Sequence, residues 1–424
     1  MKIFMKICLT SVITLAICIC VGFGLITAAY LIPYENTKDN LISSAGILEK
    51  EGARPTLTKY ASSRLDNKTD AIMLKIAAYS GDESIIERAM MNYRYTAKGK
   101  NDVQSLSQLA EYGTEQMQKT GYARYWHGYV AVLKPLLCIT DYGGVRIFNS
   151  IIYIILTVTV CVFMYRKDLK HIILPYIFSL CFLMPVATAI CMQYFTVFCV
   201  MSVGIIIVLR LGDKLKDNMY LSAIFTLIGA AVVYFDFLTY PLSAFAFPCV
   251  VYFLIIKYDG IRCALMKLFQ MFSCFAFGYL GMWFSKWVIA QALTGKNVLL
   301  NAANQFLYRS SFATTSESSI TYSETLRRNI IELFNTPVTV LALIFIAYIA
   351  VKALKNKKSA KKISANDRSF SAVCLTVLLM PFVWYLLASN HSYMHSFFTF
   401  RTLACAPFAI MCFAAQYEKN HRPG

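Results

Sequence analysis

Arg124-Tyr125-Trp126-His127-Gly128-Tyr129 divides this chain in two. It closes a polar segment, residues 34–145, and leads into an almost unbroken series of hydrophobic runs. Three large aromatic rings at such a boundary suit the belt that Tyr and Trp form where a membrane meets water. A guanidinium and an imidazole among them do not follow from a belt, and they point to a polar site held against one membrane face.

Working outward, residues 7–32 form one apolar run. Nine more follow at 147–164, 172–190, 195–209, 221–235, 242–256, 268–289, 338–351, 372–387 and 403–415. With 58% hydrophobic and 15% charged residues, the chain lies far from the roughly 25% charge of soluble domains. The expected fold is all-α and polytopic, with about ten transmembrane helices. Its parts are an N-terminal helix (1–33), a large helical extracytoplasmic loop (34–145) and a nine-helix region (146–424). That last region holds an outer loop, 290–337, and a basic inner loop, 352–368.

Charge sets the orientation. If the runs alternate, the inner connections carry 3, 3, 3, 7 and 2 Lys/Arg, whereas the outer turns 191–194 and 236–241 carry none. Lys and Arg stay on the cytoplasmic side of a polytopic protein, so both termini are expected there. The same rule accounts for the net charge of +18 without nucleic acid, for which no basic, aromatic-interleaved repeat is present. The fourteen cysteines sit mostly in apolar runs and contain no CxxC pair, which reads as packing rather than a disulfide framework.

Within 34–145, Thr69 or Asp70 can cap a helix over 71–79, and Ser84 with Glu87 forms a capping box before 85–95. Val103, Leu106, Leu109 and Ala110 recur at helical spacing. Residues 129–139 are apolar but too short to cross a bilayer, and suit an interfacial helix. The Ser/Thr-rich stretch 310–325 suits a mobile outer loop or lid.

The unusual polar residues fall on one expected face. Arg124 and His127 are joined by Tyr234-Phe235-Asp236-Phe237-Leu238-Thr239-Tyr240-Pro241 and by His391, His395 and Arg401. Asp236 is an ionisable group at membrane depth, a functional candidate by default, or a hydrated helix end. His391 and His395 share a helix face, yet no third ligand accompanies them, so no metal is expected. Arg401 can grip a phosphate or snorkel to headgroups. Asp66 and Asp70 are four apart, and either can serve as base beside a phosphate or as N-cap and surface charge. Asp39, soon after the first run, is the third carboxylate. Trp283, Lys286 and Trp287 share a face and suit core packing or a belt.

A first helix, a large outer loop with short helices and many further spans resemble the GT-C superfamily of membrane glycosyltransferases. The resemblance implies a polyprenyl-phosphate-linked sugar as donor, an acceptor in the bacterial envelope, and a carboxylate of the first outer loop as base. Asp39, Asp66, Asp70 and Asp236 are the candidates for that role. Arg124, Tyr125, Trp126, His127, Tyr240, His391, His395 and Arg401 would bind the substrate, and no metal or cofactor is required. The competing readings are a transporter or flippase of a lipid-linked or anionic substrate, and a non-catalytic envelope-assembly subunit.

Overall fold

All ten apolar runs are helical, as lipid demands of a backbone that must satisfy its own N–H and C=O groups. The computed structural model describes residues 2–310, 313–315, 318–334, 337–357 and 364–421. Parts of the Ser/Thr-rich stretch (311–312 and 316–317) and of the basic loop (358–363) lie outside the described residues.

Helix α1 (Lys2–Ala29) leads into a polar domain. There α2 (Lys38–Glu51), α3 (Asn67–Ala77), α4 (Ile85–Met91) and α5 (Asp102–Tyr112) pack with a two-stranded antiparallel ladder, β1 (Arg94–Ala97) and β2 (Met117–Thr120). That ladder, whose two strands are separated in the chain by α5, was not expected. Helix α3 starts earlier than Thr69 or Asp70 would place it, because the Asp66 carboxylate takes the N-cap and accepts from Thr69 N–H. Ser84 caps α4 as expected, by accepting from Glu87 N–H. Helix α6 (Val130–Leu137) packs against α1, α3 and α7 with Val130, Leu133, Lys134 and Leu137 buried, while Val132 and Pro135 on its other face are exposed.

The bundle follows: α7 (Tyr142–Arg166), α8 (Lys170–Cys181), α9 (Pro185–Ile190), α10 (Met192–Leu211), α11 (Asn218–Phe235), α12 (Pro241–Ile255), α13 (Ile261–Thr294), α14 (Val298–Ser310), α15 (Tyr322–Phe334), α16 (Pro337–Lys357), α17 (Ala365–Leu387), α18 (Ser389–Met394), α19 (Ser396–Thr399) and α20 (Cys405–Asn420). Among the described residues seven helical spans are long and apolar enough to cross a membrane, or eight if α15 and α16, bent by 90°, count as one. The runs at 172–190 and 242–256 account for the difference between eight and ten, and the run at 338–351, in α16, belongs to the bent pair. The first breaks into α8 and α9 at Met184 (φ 57°) just before Pro185. The second forms only the 15 residues of α12, buried from Pro241 to Leu254. The chain is an integral membrane protein.

Two features position the site. Gly229 of α11 and Gly278 of α13 bring those helices backbone to backbone: a Cβ at either would stand 2.1 Å from a carbonyl oxygen of the other helix, Phe275 O or Thr226 O. Small residues permit such approaches in lipid. Helix α13 has 34 residues, and at ~1.5 Å each it is longer than the ~30 Å hydrocarbon core. Its C-terminal half packs against α4 of the polar domain. Lys286 there is fully buried and donates to Ala89 O (3.1 Å) and Asn92 Oδ1 (2.8 Å) of that domain.

Candidate functional site

The stretch Arg124–Tyr129 is a clasp between the polar domain and the bundle. Indole N–H groups of both Trp283 and Trp287 donate to the Arg124 carbonyl, at 2.7 and 2.9 Å. Trp126 Nε1 donates to Met282 O at 2.6 Å, and Gly128 N–H donates to Tyr234 O at 2.8 Å. Gly128 has to be glycine, because a Cβ there would lie 2.1 Å from the Tyr234 ring.

His127, at φ 56°, is locked within this clasp. Its Nε2 lies 2.8 Å from Tyr122 O, which can only accept, so Nε2 carries the proton and Nδ1 accepts from Tyr129 O–H at 3.0 Å. Burial and nearby Lys286 hold it well below the ordinary histidine range. Both ring nitrogens are used, and the ring faces the protein.

Below the clasp the polar domain, the α11–α12 turn and α18 enclose a cavity of about 150 Å³. The polar domain gives it Arg54, Asp66, Lys68, Thr69, Tyr122 and Tyr125; the bundle adds Gln193, Phe237, Arg309, His391, His395 and Phe398. It is smaller than the roughly 300–1,000 Å³ of drug-sized sites.

Three cations and one carboxylate line it. Asp66 Oδ2 accepts from Thr69 Oγ1 at 2.6 Å, and Asp66 Oδ1 lies 4.0 Å from Arg54 Nε. Burial raises this carboxyl's pKa above the ordinary value, outweighing the Thr69 and Arg54 contributions, and so improves its fitness to take a proton near neutral pH. Arg309 Nη1 donates to His391 Nδ1 at 2.7 Å, while His391 Nε2 donates to Leu238 O at 2.9 Å. His391 is therefore a neutral link, depressed first by burial and then by Arg309. His395 lies one helical turn on, with ring centroids 4.9 Å apart. Burial and the charges of Arg309, Arg54 and Lys68 push it down to about 3. Its Nδ1 has no hydrogen-bond partner among the described residues.

The other expected residues lie elsewhere. Asp70 is buried behind Asp66, accepting from Tyr142 O–H (2.5 Å) and Gln193 N–H (3.2 Å). Burial raises it to about 6, and its bonds fix the first turn of α10 against the cavity. Asp236 is buried behind Phe237, holds the α11–α12 turn through Thr239 N–H (2.9 Å) and O–H, and is raised to about 7 by burial. Asp39 is exposed on the first turn of α2, away from the cavity lining. Tyr125 is the one member of the Arg124–Tyr129 clasp that lines the cavity. Arg124 stacks on Tyr122 (4.9 Å) and donates to Asn301. Tyr240 donates to Tyr194 O. Arg401 is fully buried over the Tyr194 ring at 3.9 Å, donating to Leu183 O and Phe397 O, so it braces the α8–α9 break.

No protein-family model, curated protein or solved structure matches the chain. Arg54, Lys68 and Arg309 were not singled out in the sequence. Each is a lone cation in a polar segment, and only their convergence distinguishes them. Among the described residues no three His, Cys, Asp or Glu side chains are grouped to hold a metal.

Beside the cavity lies a second, apolar pocket of about 260 Å³, lined by Tyr129, Val132, Phe148, Met192, Phe195 and Phe235 with others of α7 and α10. Met192 and Gln193 are consecutive, the first facing the apolar pocket and the second the polar cavity. A polar cavity and an apolar pocket thus share a wall.

Proposed function

We propose that this chain is a membrane glycosyltransferase of the GT-C kind. It moves a sugar from a polyprenyl-phosphate-type carrier to a bacterial envelope acceptor, on the membrane face that carries the polar domain. The observation that supports this reading best is the placement of Asp66, a carboxyl with a raised pKa, in one small cavity with Arg54, Lys68 and Arg309. The adjoining apolar pocket offers a place for the first part of the carrier's chain.

In this reading Asp66 takes the proton of an acceptor hydroxyl. The freed oxygen attacks the anomeric carbon from the face opposite the phosphate. The bond from that carbon to the phosphate oxygen breaks, and its electron pair leaves with the lipid phosphate. Arg54, Lys68 and Arg309 stabilise the charge that gathers there, as preorganised donors do for developing oxyanions. Tyr125 and Phe237 give the sugar an apolar wall.

The test uses the full chain in liposomes, a polyprenyl phosphate bearing a labelled sugar, and envelope extract as acceptor. The expected result is label leaving the carrier with inverted anomeric configuration. Label that crosses the bilayer while still joined to its carrier would replace this reading with a flippase.

A further inference from the structure

The polar domain holds a second groove, which shares no lining residue with the Asp66 cavity. It forms because Ala97, at the end of β1, pairs with Met117, at the start of β2. That pairing brings together the turn into α5 (98–101) and the turn out of it (113–116). Between them lies a space of about 560 Å³, within the roughly 300–1,000 Å³ of small-molecule sites. Lys98 and Lys100 line it from the first turn, Glu115 and Gln116 from the second, and Gln108 and Tyr112 from α5. The last two are four residues apart and so share a helix face.

These side chains are uncommitted. Those of Lys98, Lys100, Gln108, Glu115 and Gln116 make no hydrogen bond or ion pair among the described residues. Tyr112 is 62% exposed, and its ring stacks on no other among the described residues. Gln116 also keeps φ at 59°, in the left-handed region where glycine costs least. A glutamine held there sets its amide on the groove at the expense of backbone strain, and such strain gathers where ligands are clamped.

We propose that this groove binds a short, uncharged oligosaccharide. Tyr112 offers a flat apolar face to the C–H side of a sugar ring. The Gln108 and Gln116 amides each donate and accept, Lys98 and Lys100 donate, and Glu115 accepts, which is the mixed set that neighbouring hydroxyls need. Charge selects no anion, because Glu115 and Glu111, which lies beside the Tyr112 hydroxyl, balance the two lysines. A protein partner is disfavoured, since interface cores are apolar and Ala97 is the one aliphatic residue in the described lining. Binding here does not depend on the transfer proposed for the Asp66 cavity.

The site is tested by applying the full chain in nanodiscs to an array of tetra- to hexasaccharides, some uncharged and some bearing uronic acid or phosphate. The expected result is retention on uncharged oligosaccharides, above that of empty nanodiscs. Tyr112→Ala should weaken this binding about tenfold, as loss of a stacking ring does, while Tyr112→Phe should keep it. Gln116→Gly relieves the left-handed backbone and removes the amide. It should lower affinity about fivefold, the loss of one hydrogen bond, with an unchanged or higher melting temperature. Both positions are exposed, so folding is preserved. Asp66→Asn should bind as the parent does. Retention on no oligosaccharide or on acidic ones alone, or unchanged binding by Tyr112→Ala, would overturn the proposal. So would loss of binding in Asp66→Asn, which would put the ligand in the other cavity.

Discussion

Arg309 Nη1 lies 2.7 Å from Nδ1 of His391 and thereby ties the end of α14 to α18 across the cavity mouth. The bond needs a neutral imidazole, and His391 Nε2–H is already given to Leu238 O. One guanidinium therefore has part of its fork occupied by protein and the rest aimed at the cavity.

Arg309→Ala should reduce sugar transfer by about 10²–10³-fold, the usual loss when one donor to a developing oxyanion is removed. Arg309→Lys should recover little, because an ammonium cannot serve His391 and a phosphate with one planar fork. Initial rates in proteoliposomes, with melting temperature as control, check both. A lysine variant at full rate would show that only net charge matters.

Stability should depend on pH through two opposed sets of buried groups. His127, His391 and His395 are all depressed, so their contribution is complete above the ordinary 6.5 and is lost as pH falls toward about 3 for His395. Asp70 and Asp236 are raised, so their contribution is complete below the ordinary 3.8 and is lost as pH rises through about 6 and about 7. Between pH 4 and 6.5 the two sets oppose each other. Asp236→Asn removes one carboxylate arm, and the variant's melting temperature should climb more steeply from pH 4 to 8 than that of the parent. A parallel or shallower curve would contradict the assignment.

The clasp predicts non-additivity. Trp283→Phe or Trp287→Phe alone should cost about 1 kcal/mol or less, because the Arg124 carbonyl keeps the other indole. The double variant leaves that carbonyl without a donor and should cost about 1–3 kcal/mol more than the sum of the singles. Gly128→Ala forces a Cβ into Tyr234 and should cost about 1–3 kcal/mol. Denaturation midpoints, with limited proteolysis of the 34–141 region, read these effects.

Much of the bundle was legible because helix in lipid needs only a long apolar run, and each of the ten runs supplied one. Their lengths were less legible. Pro185 and Met184 split one run, and α12 needs only 15 residues because protein surrounds it on every side. The β1–β2 ladder escaped a helical reading, since Arg94–Ala97 and Met117–Thr120 are four residues each, with no apolar alternation and with α5 between them. Of the candidate site, Asp66, Tyr125, His391 and His395 came from local pattern. Arg54, Lys68 and Arg309 did not, because convergence across 250 residues leaves no trace in spacing. Arg124, Trp126 and His127 stood out for their chemistry, and the fold uses that chemistry to fasten the polar domain.

The central claim is that the Asp66 cavity is the reacting site. Its most direct test compares sugar transfer by Asp66→Asn and Asp39→Asn in the same proteoliposomes. Loss of a general base should slow Asp66→Asn by about 10²–10⁴-fold, while Asp39→Asn, altered on an exposed turn, should keep the parent rate. Full transfer by Asp66→Asn, or a matching loss in Asp39→Asn, would contradict the account.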